Sequence, residues 1–335
     1  MKKLIVILSI LSIVVMQSCS NEFELTENWK DITVIYGLLD ASEPVQYIRV
    51  EKAFLDETTS ALLIAQNADS IFYDDISVSL QAIPPPGSGG GGFFTLTRVD
   101  ANLEGIIKEE GIFASSPNYL YKFDNELKPD FQYKITVEKA NENDEVKAFT
   151  GVIGDASIIF PPVDYDQLNF ASNRNLPLQW RKDEDAEAYD VIMTIHYTEA
   201  PGNSPSNVET KSLDWTLFRN LQKGNNSGVM SEEINGTSFY RFLESNLEAG
   251  NFVREFISAD IYIYAGGEEL NNYVNAGRAS SGITSAETLP VYTNVENGLG
   301  IFSTRYTQSV TNLLARQSML DTLSSGPYTK DLGFK

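Results

Sequence analysis

Leu176-Pro177-Leu178-Gln179-Trp180, followed after an acidic turn by Ala188-Tyr189-Asp190-Val191-Ile192-Met193-Thr194-Ile195-His196-Tyr197, is the stretch that decides the fold. Leu178 and Trp180 stand two residues apart and point to one side of a strand. Asp183-Glu184-Asp185, with Glu187, breaks the chain between them and the next β-rich run. An indole on the inner face of a strand belongs to the core between two sheets, so Trp180 is expected to be buried.

Reading outward, the preceding half is a chain of short strands. Ile32 to Tyr36 is β-rich and is expected to end at Gly37. Val45 to Phe54 alternates, with Gln46, Ile48 and Val50 on one face. Thr59 to Ala68 is the one helix-like patch of this half. Ile76, Val78 and Leu80 alternate again before Pro84-Pro85-Pro86-Gly87-Ser88-Gly89-Gly90-Gly91-Gly92. That tract is expected to be a solvated loop, with one strand resuming over Phe93–Val99. Phe131–Glu138 and Val146–Ile153 flank the polar run Asn141 to Asp144, as in a hairpin. On the other side, Phe239, Leu243 and Leu247 recur at helical spacing, with Gly250 placed to terminate the helix. Strands are expected at Ile257–Tyr264 and Gly300–Thr304, and one or two helical turns over Val310–Leu323.

The N-terminus reads as an address. Lys2 and Lys3 precede an apolar run, Leu4 to Met16, that is too short for a membrane span of roughly 20 residues. It ends in Met16-Gln17-Ser18-Cys19, which resembles the bacterial lipobox, although Met16 and Gln17 depart from its usual Leu and small residue. The resemblance implies that Cys19 is lipidated and becomes the mature N-terminus. It is also the only cysteine of the chain. Residues 1–18 are then a lipoprotein signal peptide and 19–27 a tether. An N-terminal β-sandwich domain over 28–154 and a fibronectin III-like β domain with helical additions over 155–335 complete the expected organisation. Ser20-Asn21-Glu22-Phe23-Glu24 reads equally as a solvated linker or as a partial match to the export signal of Bacteroidetes surface lipoproteins.

Two further resemblances concern the body. Leu-x-Trp, an acidic turn and Tyr-x-Val resemble the B and C strands of fibronectin type III domains over about 25 residues. The fold expected is mainly β: two β-sandwich domains of immunoglobulin or fibronectin III type, with a few short helices. The lipobox, the Ile32–Gly37 strand and Asn294-Val295-Glu296-Asn297-Gly298-Leu299-Gly300-Ile301-Phe302 together resemble a Bacteroidetes lipoprotein family catalogued as a domain of unknown function. That resemblance implies a lipid-anchored outer-membrane protein, facing the surface or the periplasm, in the company of TonB-dependent transport. It carries over no catalytic residue.

Composition and chemistry narrow the function. With 46 Asp+Glu against 25 Lys+Arg and a net charge of -21, nucleic acid is excluded as a partner. Loss of residues 1–18 removes two lysines and no acid, giving -23. One Cys and one His cannot build an internal disulfide or a Cys/His zinc site. His196 lies inside a strand pattern and is expected to be a packing or hydrogen-bonded residue rather than a catalytic one. Gly87–Gly92 lacks the Gly-Lys-Ser/Thr of a phosphate loop. Asp183 to Glu187 offers hard oxygens for calcium but lacks EF-hand spacing, so it reads as a turn. Asp69-Ser70-Ile71 and Asp321-Thr322-Leu323 resemble a Bacteroidetes O-glycosylation signal of low specificity. No catalytic, cofactor or metal site is expected. The expected role is binding or assembly, the lipid holding the membrane and an outer-membrane protein or a glycan serving as partner. The alternatives are a structural or adhesion protein and a carboxylate-dependent hydrolase. A broad aromatic face would mark ligand capture, a long edge strand assembly, and a cleft with converging acids hydrolysis.

Overall fold

The computed structural model describes residues 32–53, 60–140, 144–162, 167–171, 174–204, 206–224, 228–280 and 292–335. Cys19, the signal segment, the tether and Asn141–Asn143 lie outside the described residues. The chain is mainly β, and residues from Ile32 to Lys335 form one compact unit.

The strands are β1 (Ile32–Asp40), β2 (Gln46–Ala53), β3 (Ile76–Ile83), β4 (Gly92–Thr95), β5 (Thr97–Asp100), β6 (Tyr119–Phe123), β7 (Gln132–Lys139), β8 (Val146–Thr150), β9 (Ile158–Phe160) and β10 (Gln167–Leu168). They continue as β11 (Asn175–Arg181), β12 (Ala188–Pro201), β13 (Glu209–Gln222), β14 (Val229–Asn235), β15 (Phe252–Gly266) and β16 (Leu299–Ala315). Helices are α1 (Ala61–Ala65), α2 (Ala68–Ile71), α3 (Gly236–Asn246), α4 (Glu268–Ser280) and α5 (Gln317–Ser325).

One large sheet, ordered β13-β12-β15-β16-β1-β2-β6-β5, runs through the unit. A sheet β4-β3-β7-β8 faces one half of it, and a sheet β14-β11-β9 faces the other. Two apolar cores result. One gathers Ile35, Ile48, Leu80, Ile135 and Phe302. The other gathers Trp180, Val191, Met193, Phe239 and Ile261. The cores meet where Val152 belongs to the first and Ile153 to the second. Trp180 is wholly buried and meets Tyr189 edge-on at 5.5 Å.

The two sandwiches share one strand. β16 pairs in parallel with β1 through Val34↔Leu299 to Asp40↔Arg305, and its later half pairs antiparallel with β15 from Gly266↔Arg305 to Ala259↔Leu313. The Asn294–Phe302 run fastens this junction. Asn294 accepts from the Phe302 N–H at 3.0 Å and donates to the Phe302 carbonyl at 2.7 Å. Gly300 has φ of 104° and leaves no room for a side chain: a Cβ would stand 2.0 Å from the Ile35 carbonyl oxygen.

Several expected boundaries move. β1 continues through Gly37 to Asp40, because Gly37 is a close-packing position where a Cβ would stand 2.9 Å from the Phe302 ring. The expected Phe93–Val99 strand is two strands. Leu96 is buried between them, and the chain changes sheets there. Val310 and Leu313 are strand residues of β16, both buried, and the helix begins only at Gln317. Gly250 does not terminate α3. That helix ends at Asn246, with Leu247 extended and its N–H bonded to Leu243. Asn235 caps its start, accepting from the N–H groups of Thr237 and Ser238.

Candidate functional site

The alternation of β12 sends Tyr189, Val191, Met193 and Ile195 into the core and leaves Asp190, Ile192, Thr194 and His196 on the outer face. Register places Asp190 beside Tyr264 and Ile192 beside Tyr262. The two tyrosine rings stack with centroids 6.3 Å apart and planes 19° from parallel. Burial raises the Tyr262 phenol above its ordinary value, and the neighbouring Asp260 carboxylate adds to the shift.

At one end of this face α4 leans on the sheet. Its entry is fixed by Gly267, whose N–H donates to the Thr304 carbonyl at 3.0 Å. A Cβ on Gly267 would stand 2.7 Å from the Thr304 methyl group. Ser303 Oγ accepts from the Leu270 N–H at 3.1 Å and donates to Glu269 at 2.9 Å. Between α4 and the sheet lies a cavity of about 260 Å³. Leu38, Tyr264, Leu270 and Val274 supply its apolar wall.

Asn220 and Asn271 line the polar wall and belong to a connected set of amides. Gln222 donates to Asn220 Oδ1 at 3.1 Å and to Asn271 Oδ1 at 3.3 Å, and Asn271 donates back to Gln222. Asn275 donates to Asn271 at 3.1 Å, and Asn220 donates to Asn275 at 3.2 Å. Asn220 sits at a β13 irregularity with φ of 50°, and its N–H donates to the Asp190 carboxylate at 2.6 Å. Asp190 is the one carboxylate lining the cavity among the described residues, with Arg278 and Arg305 as its cations. Arg305 Nε pairs with Asp40 at 3.1 Å. The arrangement offers a ring face, fixed amide donors and acceptors, and guanidinium groups. It brings no nucleophile to a base.

The residues singled out in the sequence lie elsewhere. His196 is farther along the same face, its Nε2 2.9 Å from Asp260 Oδ2. Asp260 also accepts from the Asn312 N–H at 2.8 Å. Asp183 anchors the acidic turn. One of its oxygens accepts from the N–H groups of Gly154 and Asp155, both at 3.0 Å, and the other from Asp185 at 2.9 Å. Burial raises the Asp185 carboxyl above its ordinary range, helped by Asp183 and Asp130. Among the described residues no group of three or more potential ligands stands close enough to hold a metal ion. Gly87–Gly91 is exposed, and Ser88 bonds the Pro85 carbonyl within the turn.

The cavity went unread in the sequence because its amides come from β13 and α4, which meet only in the fold. One signal for α4 was there. Glu268 and Glu269 at its start and Arg278 near its end complement the helix dipole. No protein-family model matches the chain, and no curated protein matches it. Among solved structures the chain is similar to the crystal structure of CBD12 from CALX1.2, at 10% identity and a TM-score of 0.15, over 83% of this chain and 99% of that one.

Proposed function

We propose that the chain is a lipid-anchored protein of the bacterial outer membrane with a non-enzymatic binding role, accessory to transport or glycan capture. Its ligand is a hydroxyl-rich molecule such as a glycan, held in the α4 cleft. The observation that carries this reading is that Tyr264 lines a cavity together with the amides of Asn220 and Asn271. A sugar presents C–H groups to an aromatic face and hydroxyls to amide donors and acceptors. A two-carboxylate hydrolase needs an acid and a second carboxylate across the bond, and among the described residues Asp190 is the one carboxylate lining this cleft.

Titration calorimetry with a panel of neutral oligosaccharides tests the reading. Tyr264→Ala should weaken the binding sugar at least about tenfold, and Tyr264→Phe should retain it. A panel that yields no binder, or a binder indifferent to Tyr264→Ala, removes the cleft from consideration. Anchoring at Cys19 is tested separately by metabolic labelling with a fatty-acid analogue, which Cys19→Ala should abolish.

One observation favours the assembly alternative. β13 is a 14-residue strand with β12 on one side only among the described residues. Lys211, Asp214 and Arg219 interrupt it, and its pairing with β12 shifts register near Val191. Charges and bulges are the means by which sheets blunt an open edge. Ligand binding therefore ranks ahead of strand-to-strand assembly.

A further inference from the structure

The connection from β5 to β6, residues 101–118, is tightly built and yet presents large apolar groups to water. Asn102 donates to the Ser115 carbonyl at 2.8 Å and accepts from the Lys108 N–H at 3.1 Å. Asn118 donates to the Ile106 carbonyl at 3.1 Å and accepts from Arg49 at 2.8 Å. The Ala114 N–H reaches the Ala65 carbonyl at 2.8 Å, which ties the loop to α1. On this frame Leu103 is 86% exposed, Ile107 70%, Ile112 61% and Phe113 46%. Leu62 and Leu63 of α1, the helix that Ala114 is tied to, are exposed as well. Loops of this compact kind are frequently functional, and a contiguous exposed apolar patch marks a contact surface. Order before contact lowers the entropy lost on making it.

Register fixes where the two ends of the loop stand, and within it Glu104 reaches back along the sheet to accept from Lys122 at 2.8 Å. Ile32 pairs with Ala53, Ile48 with Tyr121 and Tyr119 with Asp100. The start of β1, the end of β2, the end of β5 and the start of β6 therefore lie at one end of the large sheet. The chain enters the body at that same end. Twelve residues lie between Cys19 and Ile32, an extended reach of at most roughly 45 Å.

We propose that this apolar loop docks on the zwitterionic interface of the bilayer that holds the anchor, so that the body meets the membrane with this end. The inference rests on the lipid-anchor reading of Cys19. A lipid at the end of a short tether keeps this end of the body near the interface, where apolar side chains leave water for the acyl boundary. Lys108 lies over the Phe113 ring at 5.8 Å, and burial beside Arg49 holds its ammonium below the usual lysine range, so the patch carries little exposed positive charge. Glu109 and Glu110 stand exposed beside the patch, and with the net charge of the chain they oppose an anionic surface. A phosphatidylethanolamine-rich surface therefore fits better than an anionic one.

The test uses the mature acylated chain. Acylation consumes the only native thiol, so Ile107→Cys or Glu43→Cys supplies a single labelling site. Glu43 lies in the β1–β2 turn at the opposite end of the sheet. Each variant carries an environment-sensitive fluorophore and is reconstituted in vesicles of phosphatidylethanolamine and phosphatidylcholine with brominated acyl chains. The probe at 107 should shift to the blue and be quenched several-fold more than the probe at 43. Replacing part of the lipid with phosphatidylglycerol should weaken that quenching. If the protein floats with the vesicles while both probes stay equally unquenched, the docking is overturned and the anchor stands. If the protein does not float, the anchor reading fails and takes the docking with it. A blue shift that grows with protein concentration, without bromine quenching, would place a second copy on the patch and overturn the proposal.

Discussion

Two side chains of one core set the energetics at the residue scale. The Trp180 indole is fully buried, and its removal leaves a cavity that neighbouring strands cannot fill by collapse. Trp180→Ala is expected to cost about 3–5 kcal/mol of stability, read as a lower denaturant midpoint with unchanged slope. A midpoint that does not move would contradict the placement of the indole between the sheets. Beside it, burial pushes the Tyr189 phenol from 10.0 up to about 12. The unfolded chain then gives up this proton at lower pH than the folded one. The contribution is fully present below pH 10 and is lost as pH rises toward about 12. Tyr189→Phe should therefore flatten the alkaline fall of the melting temperature. If the variant keeps the wild-type slope between those values, burial of the phenol is not what the fall reports.

At the scale of elements, the β3–β4 connection is the clearest dispensable part. Its glycines Gly87 and Gly89 have no atom within 4 Å of a hypothetical side chain. The strands it joins pair directly, Ala82 with Gly92 and Gln81 with Phe93. Loop closure costs only about 0.6 kcal/mol per doubling of length. Replacing Pro85–Gly91 by Asn-Gly should preserve the fold and shift the melting temperature little. Collapse of the shortened protein would mean that the loop is packed. Elements whose residues alternate or recur locally were legible in the sequence: β2, β3, β7, the strand of Trp180 and helix α3. Those that depend on a distant partner were not. Val310 and Leu313 satisfy a helical spacing as well as a strand interrupted at Asn312, whose φ is 59°. Only their place opposite β15 selects the strand. The candidate cleft was illegible for the same reason, since the amides of Gln222 and Asn271 are 49 positions apart and meet only across the fold.

For the whole molecule, the shared strand predicts one unfolding event. β16 contributes Phe302 to one core and Val310 and Leu313 to the other. Neither sandwich can lose this strand without exposing part of its neighbour's interior. Calorimetry should show a single transition whose van't Hoff and calorimetric enthalpies agree. Two resolved transitions would mean that the sandwiches melt independently despite the common sheet. Gly300→Ala should lower that transition as a whole, because the junction has no space for a methyl group and φ there is 104°.

The parallel pairing of β1 with β16 also sets a timetable for biogenesis. The Thr304 hydroxyl donates to the Leu39 carbonyl across 265 positions of chain. In synthesis from the N-terminus β1 thus waits for β16, the first and last of the described strands. Until residue 302 has been delivered, the N-terminal core lacks Phe302 and the edge of β1 stays open. A sheet closed by such remote contacts forms slowly. A chain made from its N-terminus would keep β1 unpaired on that side until residues 299–305 emerge, and then lock shut along the seam between the two strands.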